Sequence, residues 1–263
     1  MRYGVIADIH GNLPALDAAV AALRERGVDR YLHLGDLVGY GPFPNECVDL
    51  VRDLGAVGVA GNHDLIATDR LSGDKCLPLA RETLAWTKSV LTGAARSYLS
   101  ELPLRLSPDP SIVATHGSLD DPEEYVRTPA EASAQLERLR ADAPRARMLL
   151  VGHTHEALAV TAARHDRDPS SGTFALGTDV WLLNPGSVGQ SRTPRPRAEC
   201  LVLDFGGDEV TFLSLPYDVQ RTRRELLRHD LPPNAYHTPP TRLSRVRRAA
   251  RASLSRTRRQ PRS

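Results

Sequence analysis

The chain has 263 residues, 41% of them hydrophobic, with 34 Lys and Arg against 32 Asp and Glu for a net charge of +2. That length supports one large domain whose core needs no covalent staples, and three scattered cysteines, Cys47, Cys76 and Cys200, exclude a disulfide scaffold and point to ordinary buried thiols in a reducing compartment. No apolar run approaches membrane-spanning length, and Met1 to Ala7 lack the basic, apolar and small-residue succession of a signal peptide, so a cytoplasmic protein is expected.

Apolar, β-rich runs at Arg2 to Ala7, Arg30 to Leu34 and Ala56 to Ala60 alternate with helix-period segments, a pattern that predicts βαβ units with parallel strands. Between the first two, Asn12 is placed to cap a helix with Pro14 in its first turn; Leu16, Ala19, Val20 and Leu23 line one face until Gly27 ends it. The next crossover runs from Pro44 to Leu54 and stops at Gly55. Residues 65–106 predict a mainly helical insertion beside the site, with Leu77, Leu84, Trp86, Val90, Leu91, Tyr98 and Leu99 buried. This insertion is the expected cover over a substrate. Strands resume at Ser111 to Ala114 and Met148 to Val151, around a helix from Pro129 to Arg140. Later strands are expected at Leu158 to Ala163, Val180 to Leu183, Cys200 to Phe205 and Val210 to Leu215. No helix long enough to cross over separates them, so that half is expected to be antiparallel. His165 to Gly172 reads as a polar turn and Asp218 to His229 as a closing helix.

The domain is therefore expected to span residues 1–230. Beyond Leu231, repeated Pro, Arg and Ser predict a flexible tail over residues 231–263 that buries no core, with Leu243, Val246, Ala250 and Leu254 marking a weak basic amphipathic helix. Residues 219–263 hold 13 Arg and no Lys against Glu225 and Asp230, a balance of +11 that leaves −9 on the body. Such a tail suits an anionic partner, whether nucleic acid, acidic protein or membrane surface, or is simply a solvated extension.

Five short motifs stand out: Asp8-Ile9-His10, Gly35-Asp36, Gly61-Asn62-His63-Asp64, Thr115-His116-Gly117 and Gly152-His153-Thr154-His155. Each lies just past the C-terminal end of a predicted strand, where open α/β sheets place their ligand sites. Five of the nine histidines fall in them, and Asp, Asn and His offer oxygen and imidazole nitrogen to transition metals. Any one motif alone is explained by turn composition; five at successive strand ends are not.

This ordered set resembles the calcineurin-like metallophosphoesterase family over roughly residues 1–215. Gly39-Tyr40-Gly41-Pro42 and Asn184-Pro185-Gly186-Ser187-Val188-Gly189 resemble its compact prokaryotic phosphodiesterase-like branch. The resemblance implies an α/β (α+β) fold, a four-layer αββα sandwich with the site above the central strands. It implies one metal held by Asp8, His10 and His155, a second by Asn62, His116 and His153, and Asp36 bridging the two. The implied reaction is hydrolysis of a phosphodiester or phosphomonoester by a metal-bridging hydroxide. Two divalent transition metal ions are expected, manganese first, with iron, zinc, nickel and cobalt accepting the same ligands.

His63, beside a ligand without being one by resemblance, joins Asp36 as a candidate catalytic residue. It is placed to contact a phosphoryl oxygen or protonate a leaving oxygen, against the plainer role of a structural hydrogen bond. Many relatives have an Asp three residues after the Gly-Asp carboxylate, followed by an Arg; here Gly39 and Tyr40 stand. What orients His63 is then open, and a Ser/Thr protein phosphatase is disfavoured. Tyr40 and Arg192 are the candidate substrate contacts, Arg192 being equally a loop arginine. Asn184, Gly186 and Ser187 are read as shaping the turn that supports the site. His33 is read as structural, and His165, His229 and His237 have no evident partners. Nothing in the sequence speaks to oligomeric state. The leading function is hydrolysis of a small-molecule phosphate ester; the alternatives are a nuclease using the basic tail and a metal-binding regulatory scaffold with little turnover.

Overall fold

The computed structural model describes residues 1–240 apart from 168, 170 and 171; the amphipathic helix expected from Leu243 to Leu254 lies outside the described residues. The first part of the chain runs β1 (Arg2–Ile6), α1 (Leu13–Glu25), β2 (Arg30–His33), α2 (Pro44–Asp53), β3 (Val57–Gly58), α3 (Asn62–Ala67), α4 (Pro78–Val90) and α5 (Gly93–Glu101). It continues through β4 (Arg105–Asp109), β5 (Ile112–Thr115), α6 (Pro129–Asp142), β6 (Met148–Leu150), β7 (Leu158–Val160), β8 (His165–Arg167) and β9 (Thr173–Ala175). Last come β10 (Trp181–Asn184), β11 (Ala198–Asp204), β12 (Glu209–Leu215) and α7 (Val219–Arg228).

Two six-stranded mixed sheets result, ordered β3-β2-β1-β11-β12-β9 and β4-β5-β6-β10-β7-β8. The period of two along the strands sorts side chains between layers. Tyr3 and Val5 of β1 and Leu201 and Leu203 of β11 meet Ile112, Ala114, Met148 and Leu150 of the second sheet in one buried cluster. Their neighbours Ile6, Cys200 and Val202 point outward onto Leu16, Val20 and Leu23 of α1 and Val48 and Val51 of α2. On the far side, Val113 and Leu149 face Ala132, Leu136 and Leu139 of α6. The layers are helix, sheet, sheet, helix, as the resemblance implies. No helix among the described residues is long and apolar enough to cross a membrane.

Several expectations are corrected. β10 lies between β6 and β7 and runs parallel to β6, so the second half is not wholly antiparallel; the parallel neighbour comes from a strand 30 residues away, not through a local crossover. A strand, β8, occupies part of the expected polar turn, paired with β7. The stretch assigned to the end of the insertion continues into β4, which forms a hairpin with β5. Asn12 stands at the start of α1 but its side chain makes no capping bond. It spans instead to the Gly189 carbonyl (2.8 Å) and accepts from the Thr222 hydroxyl (2.8 Å), tying β1 to α7. In the insertion Leu84 and Leu99 are buried and Trp86, Leu91 and Tyr98 only partly so, whereas Leu77, at 70%, and Val90, at 36%, are exposed. His229 and His237 do have partners: His229 packs on Trp86, and His237 Nε2 donates to the Thr193 carbonyl at 2.8 Å.

The boundary at Leu231 is also corrected. Leu231, Ala235 and Tyr236 are buried with Leu226, Ala80 and Tyr40 in a separate cluster between α7, α4 and the loop after β2. The Pro-rich composition hid this because three apolar residues suffice once the chain turns back onto a preformed surface. Tyr236→Ala is expected to lower unfolding stability by about 3 kcal/mol, the lower end for deleting a large buried aromatic, measured as a shift of the urea midpoint.

Candidate metal centre

Both sheets end their parallel strands at the same edge, and the motifs gather there. The chain must turn sharply as it leaves β1, β2 and β6, and it does so through residues in the left-handed region: Asp8, His10, Asp36, Tyr40, His153 and His155 all have φ between 49° and 64°. That conformation costs a non-glycine residue roughly 1–2 kcal/mol, and it persists here because the strand-end loops lock one another. Asp8 N donates to the Gly35 carbonyl (3.1 Å), His10 N to the Asp36 carbonyl (2.8 Å), and Gly152 N to the His116 carbonyl (2.8 Å). The turn from Asn184 closes the set: Ser187 Oγ donates to the Asp8 carbonyl (2.9 Å), and Asn184 Nδ2 to that of Gly152 (2.7 Å).

Two groups of ligand-competent side chains result, Asp8, His10, Asp36 and His155 in one and Asp36, His116 and His153 in the other, each spanning no more than 4.8 Å. Asp36 belongs to both. Asn62 Oδ1 joins the second group at 3.1 Å from His116 Nε2. All seven residues expected as ligands therefore converge.

The imidazoles are turned alike. Nδ1 of His10 faces the Val38 carbonyl (3.2 Å), that of His116 the Leu34 carbonyl (2.7 Å) and that of His155 the Gln190 carbonyl (2.7 Å). A carbonyl only accepts, so Nδ1 carries a proton and Nε2 of each ring is turned to the centre; in the neutral rings of His10 and His155 it is bare. His153 is reversed: its Nε2 bonds the Glu123 carbonyl (3.1 Å), leaving Nδ1 as the free nitrogen. His10 Nε2 and His155 Nε2 stand 3.0 Å apart, and Asp8 Oδ2 and Asp36 Oδ2 are buried without a hydrogen-bond partner. Facing lone pairs beside orphaned carboxylate oxygens repel one another, and a cation is the group that resolves them. The donor set thus fits a divalent metal.

The titration shifts agree. Burial holds His10 and His155 well below the ordinary histidine range, so both are neutral and able to coordinate. Burial opposes charge on His116 too, but Asp36 and Asp8 outweigh it and push its pKa up to about 9. Burial, with Asp36 adding to it, pushes the Asp8 carboxyl up to about 8. A proton on His116 is the positive charge that two buried carboxylates demand when no metal supplies it.

His63 enters beside this cluster at the first turn of α3. Its backbone N donates to Asp36 Oδ1 (2.8 Å), and its Nδ1 is buried without a partner. The side chain is held by rings, Tyr40 at 4.9 Å and His10 at 4.7 Å between centroids. Gly39, at φ +90°, lies under Nδ1, and any Cβ there would run into the ring. Asp64 does not take the missing aspartate's place: its carboxylate accepts from Leu37 N, Val38 N and Gly61 N instead.

A cavity of about 200 Å³ opens over the cluster, lined by Tyr40, His63 and Arg192 together with Lys75, Cys76 and Leu77 of the insertion and Glu123 and Tyr125. Leu77 is exposed because it forms a wall, and Cys76 is only partly buried for the same reason. Lys75 Nζ and Glu123 Oε2, 2.6 Å apart, bridge the two sides. Tyr125 stacks on His153 with centroids 4.1 Å apart and planes 12° from parallel. Sequence reasoning missed Lys75, Glu123, Tyr125 and Gln190. Gln190 adjoins the Asn184 to Gly189 run and was within reach of that signal; the others lie in loops without a motif.

The model of the calcineurin-like phosphoesterase superfamily domain matches residues 1–208. An uncharacterized protein of Methanocaldococcus jannaschii is 30% identical over 232 residues, covering 87% of this chain and 93% of that protein. A crystal structure of a metallophosphoesterase from Sphaerobacter thermophilus superposes with a TM-score of 0.75 at 34% identity, covering 90% of this chain and 96% of that one. The structure of a hypothetical protein from Pyrococcus horikoshii OT3 superposes at 0.72 with 22% identity, covering 89% and 96%, a likeness of fold. The motifs, the two ligand groups sharing Asp36 and these matches over most of the chain make it a member of the calcineurin-like phosphoesterase superfamily.

Proposed function

We propose that the chain is a dinuclear metal-dependent hydrolase of small phosphate esters, a phosphodiester first and a phosphomonoester next. The observation that carries this reading is the inward turn of four imidazole nitrogens onto two groups that share Asp36. Asp8, His10, Asp36 and His155 would hold one divalent ion; Asp36, Asn62, His116 and His153 would hold the other. Bound there, the ions would polarise a phosphoryl oxygen and activate water. Manganese is the first expectation, and the three free thiols suit a cytoplasmic setting.

The chain's own residues supply the rest. Asn62 offers a neutral oxygen where a third carboxylate would repel an anionic ester. Arg192, in the cavity wall with its Nε buried and unpartnered, is the phosphate contact; its charge already acts on Asp8, Tyr40, His63 and His155. His63 binds the phosphoryl oxygen or the leaving oxygen. Tyr40 holds His63 in place by ring contact. The cavity's size and the Lys75–Glu123 bridge favour a small ester over a duplex, and the arginines that a nuclease reading relies on lie largely beyond residue 240.

Turnover across phosphomonoesters, cyclic and linear diesters, dinucleotides, phosphopeptides and nucleic acids, with manganese restored, tests the reading; inactivity on all of them sinks it. After manganese saturation and gel filtration, elemental counting is expected to give about two ions per wild-type chain and a clear deficit for Asp36→Asn. One ion in the wild type would end the bridging assignment. His63→Gln is expected to reduce kcat roughly 10²–10⁴-fold with metal content unchanged. If His63 protonates the leaving oxygen, the loss shrinks for a nitrophenyl ester; if it binds the phosphoryl oxygen, both substrates slow alike. Normal turnover of a poor-leaving-group ester removes His63 from the reaction.

A further inference from the structure

The segment after α7 lies beyond the residues that the family model matches, yet it returns to the metal centre. Its apolar anchor is Leu231, Ala235 and Tyr236, packed against Tyr40. From there residues 237 and 238 run alongside the loop after β10. Ser191 and His237 form a parallel bridge, Thr238 N donates to the Ser191 carbonyl (3.1 Å), and His237 Nε2 donates to that of Thr193. Arg192 is therefore held between two fastened residues.

Within this strap one hydrogen-bond chain reaches the centre. Gln190, 2% exposed, places its Oε1 2.7 Å from His155 Nδ1, and its Nε2 donates to Thr238 Oγ1 at 2.8 Å. The amide has two faces. Turned over, it would set NH₂ against Nδ1–H, two donors opposed; relief requires moving the ring proton to Nε2, the atom 3.0 Å from His10 Nε2. The Thr238 hydroxyl, which can accept or donate, fastens the far side of the amide in place, while the Gln190 backbone carbonyl holds the proton on Nδ1 and so sets Oε1, not NH₂, toward the ring.

We propose that Thr238 is a positioning residue for the metal centre: by accepting from the Gln190 amide it keeps Gln190 Oε1 on His155 Nδ1–H and so keeps His155 Nε2 directed at the metal. This rests on the metal reading proposed above. The Gln190 backbone carbonyl also holds Nδ1–H, so the contribution is graded, not absolute.

The test is manganese binding to the full-length, chelator-stripped chain by calorimetry, with thermal unfolding as a control for folding. Thr238→Val sets a methyl where Gln190 needs an acceptor and is expected to weaken binding at one of the sites about tenfold, the lower end for partners outside the ligands themselves. Thr238→Ser restores wild-type affinity. Gln190→Ala weakens the same site, and adding Thr238→Val to it produces no further loss, because both act through one chain of bonds. Wild-type affinity in Thr238→Val, whether or not its thermal midpoint falls, overturns the relay, as does full additivity with Gln190→Ala or equal weakening by Thr238→Ser. A wild-type chain that binds no manganese overturns the relay and the metal reading together; normal wild-type binding with an unaffected Thr238→Val overturns the relay alone.

Discussion

A buried carboxylate shared by two ligand groups is the constraint on which the rest of this molecule depends. Asp36 is 1% exposed, has one oxygen bonded to His63 N and leaves the other without a hydrogen bond among the imidazoles of His10 and His116. An uncompensated charge in such a place is strongly unfavourable, so the surroundings must be organised to answer it. Gly61 is one consequence, since any side chain there would collide with Asp36 Oδ1. The left-handed turns at Asp8, His10, His153 and His155 are another, for they aim four side chains from two strand ends, those of β1 and β6, into one centre.

The sheets make that convergence affordable in strain. Each left-handed residue is unfavourable alone, but the loops bond to one another as an extension of the strand ladders, so none can relax without breaking a neighbour's bond. The same backbone orients the rings. Carbonyls of Leu34, Val38, Gln190 and Glu123 each take one imidazole N–H, and the chain thereby chooses which nitrogen of each ring faces the centre before any ligand arrives. Preorganisation of this kind is what outer partners contribute to a metal site.

The walls of the cavity come from less regular parts. The insertion contributes Lys75, Cys76 and Leu77 to the cavity, the loop between β5 and α6 contributes Glu123 and Tyr125, and the loop after β10 contributes Arg192. The Lys75–Glu123 pair is largely solvated on the lysine side, so it is a weak tie between the two walls. Glu123 nonetheless links wall to centre, because its own carbonyl holds His153.

The strands, the helices and the convergence of the motifs were legible in the sequence, because period-two and period-3.6 patterns and residues at strand ends are local properties that βαβ connectivity converts into one edge. The five strand-end motifs were readable on that basis; the set of seven ligands and the four layers were what the family resemblance implied. Contacts between distant segments were not legible. The place of β10 beside β6, the diversion of Asn12 from capping to Gly189 and Thr222, and the burial of Tyr236 against Tyr40 each depend on which surfaces meet after folding. The orientation of His63 belongs here too: the absence of an aspartate at Gly39 was visible, but its answer, two aromatic rings and a bare glycine beneath Nδ1, was not. Local sequence determines what each segment can form and which groups it carries; only tertiary packing decides which distant group lies within 3 Å, since hydrogen bonds and ring contacts act over that range and leave no periodicity along the chain.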